Sequence, residues 1–143
     1  MRLSRASLEK RFDRLYAQAD QALAQHQPCR IEGGSCYSMR TDPARHRRMK
    51  MAFCCGGCQH LGPQGCTVES LHCKLFICEP LEKLHIRRKD GQRVYSPLAK
   101  ALRRLIAQAD KYAFRVFRGT REESIQKALR KQARLAAGGG GRA

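Results

Sequence analysis

Residues 54–78 read CCGGCQHLGPQGCTVESLHCKLFIC, and this stretch contains six of the eight cysteines in the 143-residue chain. The other two, Cys29 and Cys36, come shortly before it. Residues 26–80 carry few large apolar side chains for their length, and a segment of that kind orders poorly by hydrophobic burial alone. A bound metal contributes on the order of 10 kcal/mol to the folding of such a region. We therefore expect a metal to hold the middle of the chain together.

The cysteine spacing is typical of a thiolate metal site. Cys55-Gly-Gly-Cys58 is a C-x2-C step, and its two glycines permit the turn that lets both thiolates face one ion. Thiolates suit zinc, which we expect here, or an iron–sulfur cluster as the alternative cofactor. All eight cysteines are candidate metal ligands: Cys29, Cys36, Cys54, Cys55, Cys58, Cys66, Cys73 and Cys78.

Catalytic uses of these cysteines are less well supported by the sequence. The C-x3-C-x2-C signature of radical enzymes does not occur, and no glycine-rich nucleotide motif accompanies the cluster. The C-x2-C step lacks the βαβ pattern in which disulfide oxidoreductases place it. No pair of carboxylates stands out as a general acid and base. An iron–sulfur redox protein and a thiol redox protein stay as alternatives, and the sequence favours a protein that is not an enzyme.

Residues 29–78 resemble the YkgJ-type cysteine-cluster family, which is described as a zinc- or iron-chelating domain. The resemblance lies in the Cys54-Cys55 pair and in the run from Cys58 to Cys78, which includes Gly65-Cys66-x-Val68 and Cys73-Lys74. The chain departs from the family pattern at Ser70-Leu71-His72, where an Arg-Pro pair is usual. The resemblance implies metal binding and no defined reaction, and it leaves both helical flanks unexplained.

The ends of the chain predict its organisation and compartment. The N-terminus has no apolar run of signal-peptide length, and no stretch approaches the roughly 20 apolar residues of a membrane span. We expect a cytoplasmic protein of bacterial type, without a membrane partner, whose thiols stay reduced. Residues 1–137 are predicted to form a single small domain, and the Gly-rich residues 138–143 a flexible tail.

Positive charge is concentrated in the last sixty residues. The net charge is +17, and residues 84–143 carry sixteen Lys or Arg against four Asp or Glu, which gives +12. A field of this sign attracts polyanions, so we expect DNA, RNA or an acidic protein as partner. The candidate nucleic-acid contacts are Arg45, Arg47, Arg48, Lys50, Arg87, Arg88, Lys127, Arg130, Lys131 and Arg134.

Apolar periodicity predicts a mainly α fold with a small β-hairpin and a cysteine-rich, metal-bound loop region between helices. Asp90-Gly91 predicts the turn of the hairpin. Ser96 with Pro97 and the Thr120–Glu123 capping box predict where the last two helices begin, and the last helix has a thin apolar stripe of Ile125, Leu129 and either Ala133 or Leu135. The long helices of 5–25 and 96–118 both have wide apolar stripes and are expected to pack together. Tyr112, Phe114 and Phe117 are assigned to the core and not to a base-stacking surface. The predicted elements are helices over 5–25, 43–51, 68–77, 96–118 and 121–136, a hairpin over 84–95, a metal-binding region over 29–78 and a basic helical region over 96–137.

Overall fold

The computed structural model describes residues 2–26, 29–32, 35–38, 61–62, 65–66, 70–76, 82 and 85–140. This part of the chain is mainly helical with short antiparallel strand pairs, which confirms the predicted mainly α fold with a small β-hairpin, whereas the metal-bound state of the loop region stays a prediction. The helix predicted over 43–51 lies outside the described residues. The helices are α1 (Arg5–His26), α2 (Leu71–Leu75), α3 (Pro97–Tyr112) and α4 (Arg121–Gly140). The strands form the antiparallel pairs β1 (Cys29–Glu32) with β2 (Ser35–Ser38), β3 (Leu61–Gly62) with β4 (Gly65–Cys66), and β5 (Ile86–Lys89) with β6 (Gln92–Tyr95).

Helix α1 agrees with the helix predicted over 5–25. The Ser4 hydroxyl accepts a hydrogen bond from the backbone N–H of Ser7 at 3.1 Å, which satisfies a donor that the first turn leaves unpaired. Apolar residues then recur at three- and four-residue steps and turn one face of the helix to the core. The buried members of that face are Leu8, Phe12, Leu15 and Ala19.

Helix α3 begins where it was predicted. The Ser96 hydroxyl caps it by accepting a hydrogen bond from the N–H of Ala99 at 3.1 Å, and Pro97 occupies the first turn. Its buried face packs against α1, which confirms the predicted pairing of the two long helices. That face consists of Leu98, Ala99, Leu102, Leu105 and Ala109.

The end of α3 differs from the prediction, because the helix stops at Tyr112 and not at residue 118. Ala113 adopts a left-handed conformation with φ 62°, and its N–H and that of Phe114 bond back to the carbonyls of Asp110 and Ala109 at 3.2 and 3.0 Å. In a continued helix Phe114 would share a face with Asp110, four residues earlier. Ending the helix lets Phe114 turn into the core instead.

Packing energetics explain why the helix ends there. Phe114 is fully buried and meets the Phe12 ring edge-on, with 5.5 Å between ring centroids. Burying a phenylalanine contributes about 1.5–3 kcal/mol, and an edge-to-face pair adds about 0.5–1.5 kcal/mol. A left-handed alanine costs about 1–2 kcal/mol. The gain exceeds the cost, so tertiary packing decides the helix boundary.

Helix α4 opens with the predicted capping box. The N–H of Thr120 donates to Glu123 Oε1, and the N–H of Glu123 donates to Thr120 Oγ1, both at 3.2 Å. The helix extends to Gly140, four residues beyond its predicted end at 136. The mobility of 138–143 stays a prediction.

One hydrophobic core joins the four helices. Helix α1 packs on α3 and α4, and the short helix α2 packs on α1 and α3. Leu71 and Leu75 of α2 are completely buried, whereas Ile125 and Ala128 are the buried apolar residues of α4. Leu135, which the sequence placed in the apolar stripe of α4, is 64% exposed, so the second half of this helix projects beyond the core.

The hairpin of β5 and β6 confirms the Asp90-Gly91 turn signal. Both turn residues have positive φ, 53° and 77°, as a two-residue type I′ turn requires. In the ladder, Arg88 lies opposite Arg93 and Ile86 lies opposite Tyr95. Because side chains alternate between the faces of a strand, these four residues share one face of the hairpin.

Candidate nucleic-acid interface

The predicted metal ligands are only partly covered by the described residues. Cys54, Cys55, Cys58 and Cys78 lie outside them. Cys29 and Cys36 belong to β1 and β2, Cys66 belongs to β4 opposite Leu61, and Cys73 is a half-buried free thiol in α2. Among the described residues, no group of three or more His, Cys, Asp or Glu side chains could hold a metal ion. The ligand set therefore stays a prediction.

The register of β1 and β2 brings backbone positions 29 and 36 near each other. Cys29 pairs with Ser38, and Ile31 pairs with Cys36, so positions 29 and 36 are diagonal neighbours on one face of the ladder. Diagonal positions have Cα atoms about 7–8 Å apart. A metal ion shared by these two positions stays a prediction.

Helix α2 attaches the C-terminal part of the cysteine region to the helical core. The Ser70 hydroxyl caps α2 by accepting a hydrogen bond from the N–H of Cys73 at 3.2 Å. Lys74 pairs with Asp20 of α1, and its ammonium lies 5.2 Å from the centre of the Tyr16 ring. Cys73 therefore occupies a helix that is held to α1 by buried leucines and by an ion pair.

A strongly basic described surface is formed by the hairpin and the exposed face of α3. Residues 86–109 carry seven Lys or Arg and one carboxylate, Asp90, which gives a local charge of +6. All seven cations are exposed, and none has an ion-pair partner among the described residues. We call them the hairpin–helix surface: Arg87, Arg88, Lys89, Arg93, Lys100, Arg103 and Arg104.

Three guanidinium groups of this surface converge on one side of the hairpin. Arg88 and Arg93 are direct cross-strand neighbours, and opposite positions have Cβ atoms about 4.5–5.5 Å apart. Tyr95 is on the same face, and the Arg103 guanidinium of α3 stacks on its ring at 4.0 Å from the centroid. Like charges placed opposite each other destabilise a hairpin. An anion bound between them would relieve that repulsion.

Several carboxylates of α1 and α4 pair with arginines of the same two helices. Arg121 of α4 donates two hydrogen bonds to Asp13 of α1 at 2.8 and 2.9 Å, and Arg5 pairs with both Glu9 and Glu122. The hydrogen bonds from Arg121 hold the pKa of Asp13 below its usual range. These ion pairs join α1 to α4, and they leave the hairpin–helix surface with little negative charge nearby.

Asp110 follows the same pattern at the end of α3. Arg115 donates to its two carboxylate oxygens at 2.7 and 2.8 Å, and these hydrogen bonds lower the pKa of Asp110. The carboxylate is thus neutralised by a cation of the turn that follows the helix. This pair fixes the 113–118 turn against the last turn of α3.

The four predicted contacts on α4 divide into two groups. Lys131 donates to the carbonyls of Asp110 and Lys111 at 3.2 and 3.0 Å, and Lys127 donates to the carbonyl of Arg115 at 2.9 Å. Lys131 thereby contacts the last turn of α3, where the carbonyl of Asp110 also accepts from the N–H of Ala113, and Lys127 contacts the turn that follows the helix. Arg130 and Arg134 are exposed and have no hydrogen bond or ion pair in the described part of the chain. Only the two arginines are available to a ligand without losing a contact.

The remaining predicted contacts lie either on the hairpin or outside the described residues. Arg87 and Arg88 are exposed on the hairpin as expected. The basic segment that contains Arg45, Arg47, Arg48 and Lys50 lies outside the described residues. The sequence analysis did not predict contacts from Lys100, Arg103 and Arg104 on α3, although their three- and four-residue spacing indicates a single charged face.

Phe117 also differs from its predicted role. It is 63% exposed in the turn between α3 and α4, whereas Tyr112 is half-buried and Phe114 is in the core as predicted. The ring edge contacts His72 of α2 at 5.6 Å between centroids, and His72 stacks on Phe76 at 6.2 Å. Burial, with the charges of Arg115 and Lys127, lowers the pKa of His72.

Comparisons with protein-family models, curated proteins and solved structures found no match to this chain. The likeness to the YkgJ-type family therefore stays a prediction from the cysteine spacing. In the helices that the structure describes, no segment is both long and apolar enough to cross a membrane.

Proposed function

We propose that this protein binds nucleic acid through the hairpin–helix surface. The observation that carries the proposal is the convergence of Arg88, Arg93 and Arg103 on one side of the hairpin, without an ion-pair partner among the described residues. Guanidinium groups bind phosphate oxygens through paired N–H donors. An exposed β-ribbon has the width to enter the major groove of a duplex, and the neighbouring cations of α3 would contact the backbone.

A salt series tests this proposal. Fluorescence anisotropy with a labelled duplex should show binding at low salt and a steep loss of affinity as salt rises, because phosphate contacts release counterions. Arg88→Gln/Arg93→Gln should weaken binding and lower the salt slope by about 1 for each lost contact. Lys10→Gln/Arg14→Gln removes the same charge from α1 and serves as the matched control. Absence of binding to DNA and RNA at low salt would refute the proposal and leave an acidic protein as the partner to seek.

We further propose that the cysteine region binds zinc, with an iron–sulfur cluster as the alternative. The donor set supports this assignment, since eight thiols occur within fifty residues and positions 29 and 36 are neighbours on one ladder face. When bound, such a metal supplies folding free energy to a segment poor in apolar residues. Among the described cysteines, Cys29 and Cys36 lie on a pair of strands, and Cys73 lies on helix α2, which packs on the core.

Elemental analysis of anaerobically purified protein distinguishes the two cofactors. Zinc without visible absorption supports the first assignment, and iron with a visible band supports the second. Cys55→Ser/Cys58→Ser should lower the metal content and leave most of the helical circular dichroism, because α1, α3 and α4 pack through residues outside the cysteine region. Purified protein without metal, or variants with unchanged metal content, would contradict the proposal.

A further inference from the structure

The turn between α3 and α4 presents an aromatic side chain in a defined position. Phe117 is 63% exposed, and the next residue, Arg118, has a left-handed backbone with φ 53°. The N–H of Gly119 bonds to the carbonyl of Val116 at 2.9 Å, and a Cβ at position 119 would collide with the Val116 side chain. A left-handed backbone is uncommon for a non-glycine residue such as Arg118, and backbone strain of this kind often accompanies ligand sites. The backbone of the turn and the contact with His72 of α2 thus hold the ring in a position in which most of it is exposed.

The Phe117 ring forms one wall of an open cavity of about 470 Å³. The first half of α4 also lines the cavity, through residues that include Gln126, Lys127 and Arg130. The Arg118 guanidinium lies 5.0 Å from the ring centroid, so a cation is already placed against the aromatic surface. The volume is within the range of small-ligand sites, which is about 300–1,000 Å³.

The charges around this cavity favour a ligand with a negative group. Its two carboxylates are engaged: Glu122 accepts from Gln126 at 3.0 Å and pairs with Arg5, and Glu123 accepts from Thr120 at 3.2 Å. Arg130 is exposed and has no partner among the described residues. Arg118 and Arg130 are therefore the cations left to attract an anion beside the exposed ring.

We infer that the Phe117 cavity binds an unpaired nucleobase of single-stranded nucleic acid, with Arg118 and Arg130 contacting the flanking phosphates. Every base offers a π-face to an aromatic side chain, and stacking of this kind combines with cations that follow the backbone. The inference rests on the proposed nucleic-acid binding and extends it from duplex contacts to a single strand. It also gives a role to the one exposed phenylalanine of the turn.

Anisotropy titrations with a fluorescein-labelled single-stranded 12-mer test the inference. Phe117→Ala should weaken binding about five- to hundred-fold, because stacking on one aromatic residue is worth that much by alanine substitution. Phe117→Tyr should retain the affinity of the original protein. Leu135→Ala is the matched control, because Leu135 is equally exposed at 64% but lies outside the cavity. Unchanged affinity in Phe117→Ala would overturn the inference.

A strand of abasic residues separates stacking from phosphate contacts. This strand keeps the phosphates and lacks the bases. Phe117→Ala should therefore bind it as tightly as the original protein does. Arg130→Gln should weaken binding of both the normal and the abasic strand. An equal loss on the two strands in Phe117→Ala would refute stacking. If single-strand binding depends on Arg88 and Arg93 but not on Phe117, this inference fails and the proposed function stands. If no nucleic acid binds at low salt, both fail.

Discussion

At the scale of single residues, two phenylalanines three positions apart have opposite environments. Phe114 is completely buried against Phe12 and Tyr112, whereas Phe117 is mostly exposed. Local sequence does not distinguish them, since both follow the amphipathic stripe of α3 and both are large aromatics. The difference arises because the helix ends at Tyr112. The left-handed Ala113 then directs Phe114 into the core, and the following turn leaves Phe117 at the surface.

Substitution of these two residues should therefore have unequal effects on stability. Phe114→Ala is expected to lower the free energy of unfolding by about 3–5 kcal/mol, because it leaves a cavity in the core. Phe117→Ala should change it by no more than about 0.5 kcal/mol, as is usual at the surface. Urea denaturation followed by circular dichroism measures both values. Equal losses in the two variants would show that Phe114 is not a core residue.

Gly119 is the residue on which the turn after α3 depends. A Cβ there would lie 2.6 Å from Val116 Cβ, so Gly119→Ala should cost about 1–3 kcal/mol through overpacking. Gly138 in α4 has open space around the same position, and Gly138→Ala should stabilise the helix by up to about 1 kcal/mol. Thermal unfolding of the two variants compares them directly, and a neutral Gly119→Ala would disprove the steric reading.

At the scale of elements, α4 stabilises the end of α3 through lysine side chains. Lys131→Gln should lower stability, because the carbonyl of Lys111 loses its ammonium donor and that of Asp110 keeps only the N–H of Ala113. Arg130→Gln removes the same charge from an exposed neighbour and should leave stability unchanged. The order should reverse for nucleic-acid affinity, which Arg130→Gln should reduce more. Chemical denaturation and anisotropy on the same pair of variants check both statements, and a common ranking in the two assays would contradict them.

The hairpin turn and the helix caps depend only on residues that are close together in the sequence. The Asp90-Gly91 turn, the Ser96 cap with Pro97, and the Thr120–Glu123 capping box were all predicted from the sequence, because each depends on residues within four positions of one another. The C-terminal end of α3 was predicted wrongly. Its position depends on Phe12, which is about a hundred residues away in sequence.

At the scale of the whole molecule, ion pairs between α1 and α4 make the free energy of unfolding depend on pH. The pKa of Asp13 is lowered by hydrogen bonds from Arg121, so the folded state binds its proton less readily than the unfolded chain, whose carboxyl titrates near 3.9. The unfolded state therefore takes up more protons as pH falls, and the stabilisation present above pH 5 should be lost progressively below it.

Asp13→Asn tests this dependence. The variant should be less stable than the original protein at pH 7 by no more than about 1 kcal/mol, since the pair is partly exposed. It should also lose less stability between pH 5 and pH 3. Asp90→Asn removes a carboxylate from the hairpin turn and controls for the charge change. Parallel pH profiles for Asp13→Asn and the original protein, measured by urea denaturation, would contradict the linkage.

The candidate sites were predicted to different extents. The sequence indicated the cysteine cluster and the basic C-terminal third, because thiol spacing and net charge are visible without a fold. It did not indicate that Lys131 would contact carbonyls of α3, that Lys127 would contact a carbonyl of the 113–118 turn, or that Arg103 would stack on Tyr95. Those contacts need two elements to be adjacent, and adjacency is set by packing of the apolar stripes.

The sequence by itself determined the three long helices and their N-terminal caps, the hairpin turn and the concentration of thiols before a basic C-terminal region. These features follow from backbone preferences and side-chain periodicity over a few residues. Only the tertiary structure decided where α3 ends, which phenylalanine is exposed and which cations remain available to a ligand. The physical reason is that burial of Phe114 and pairing of distant charges outweigh local preferences that are worth about 1 kcal/mol each.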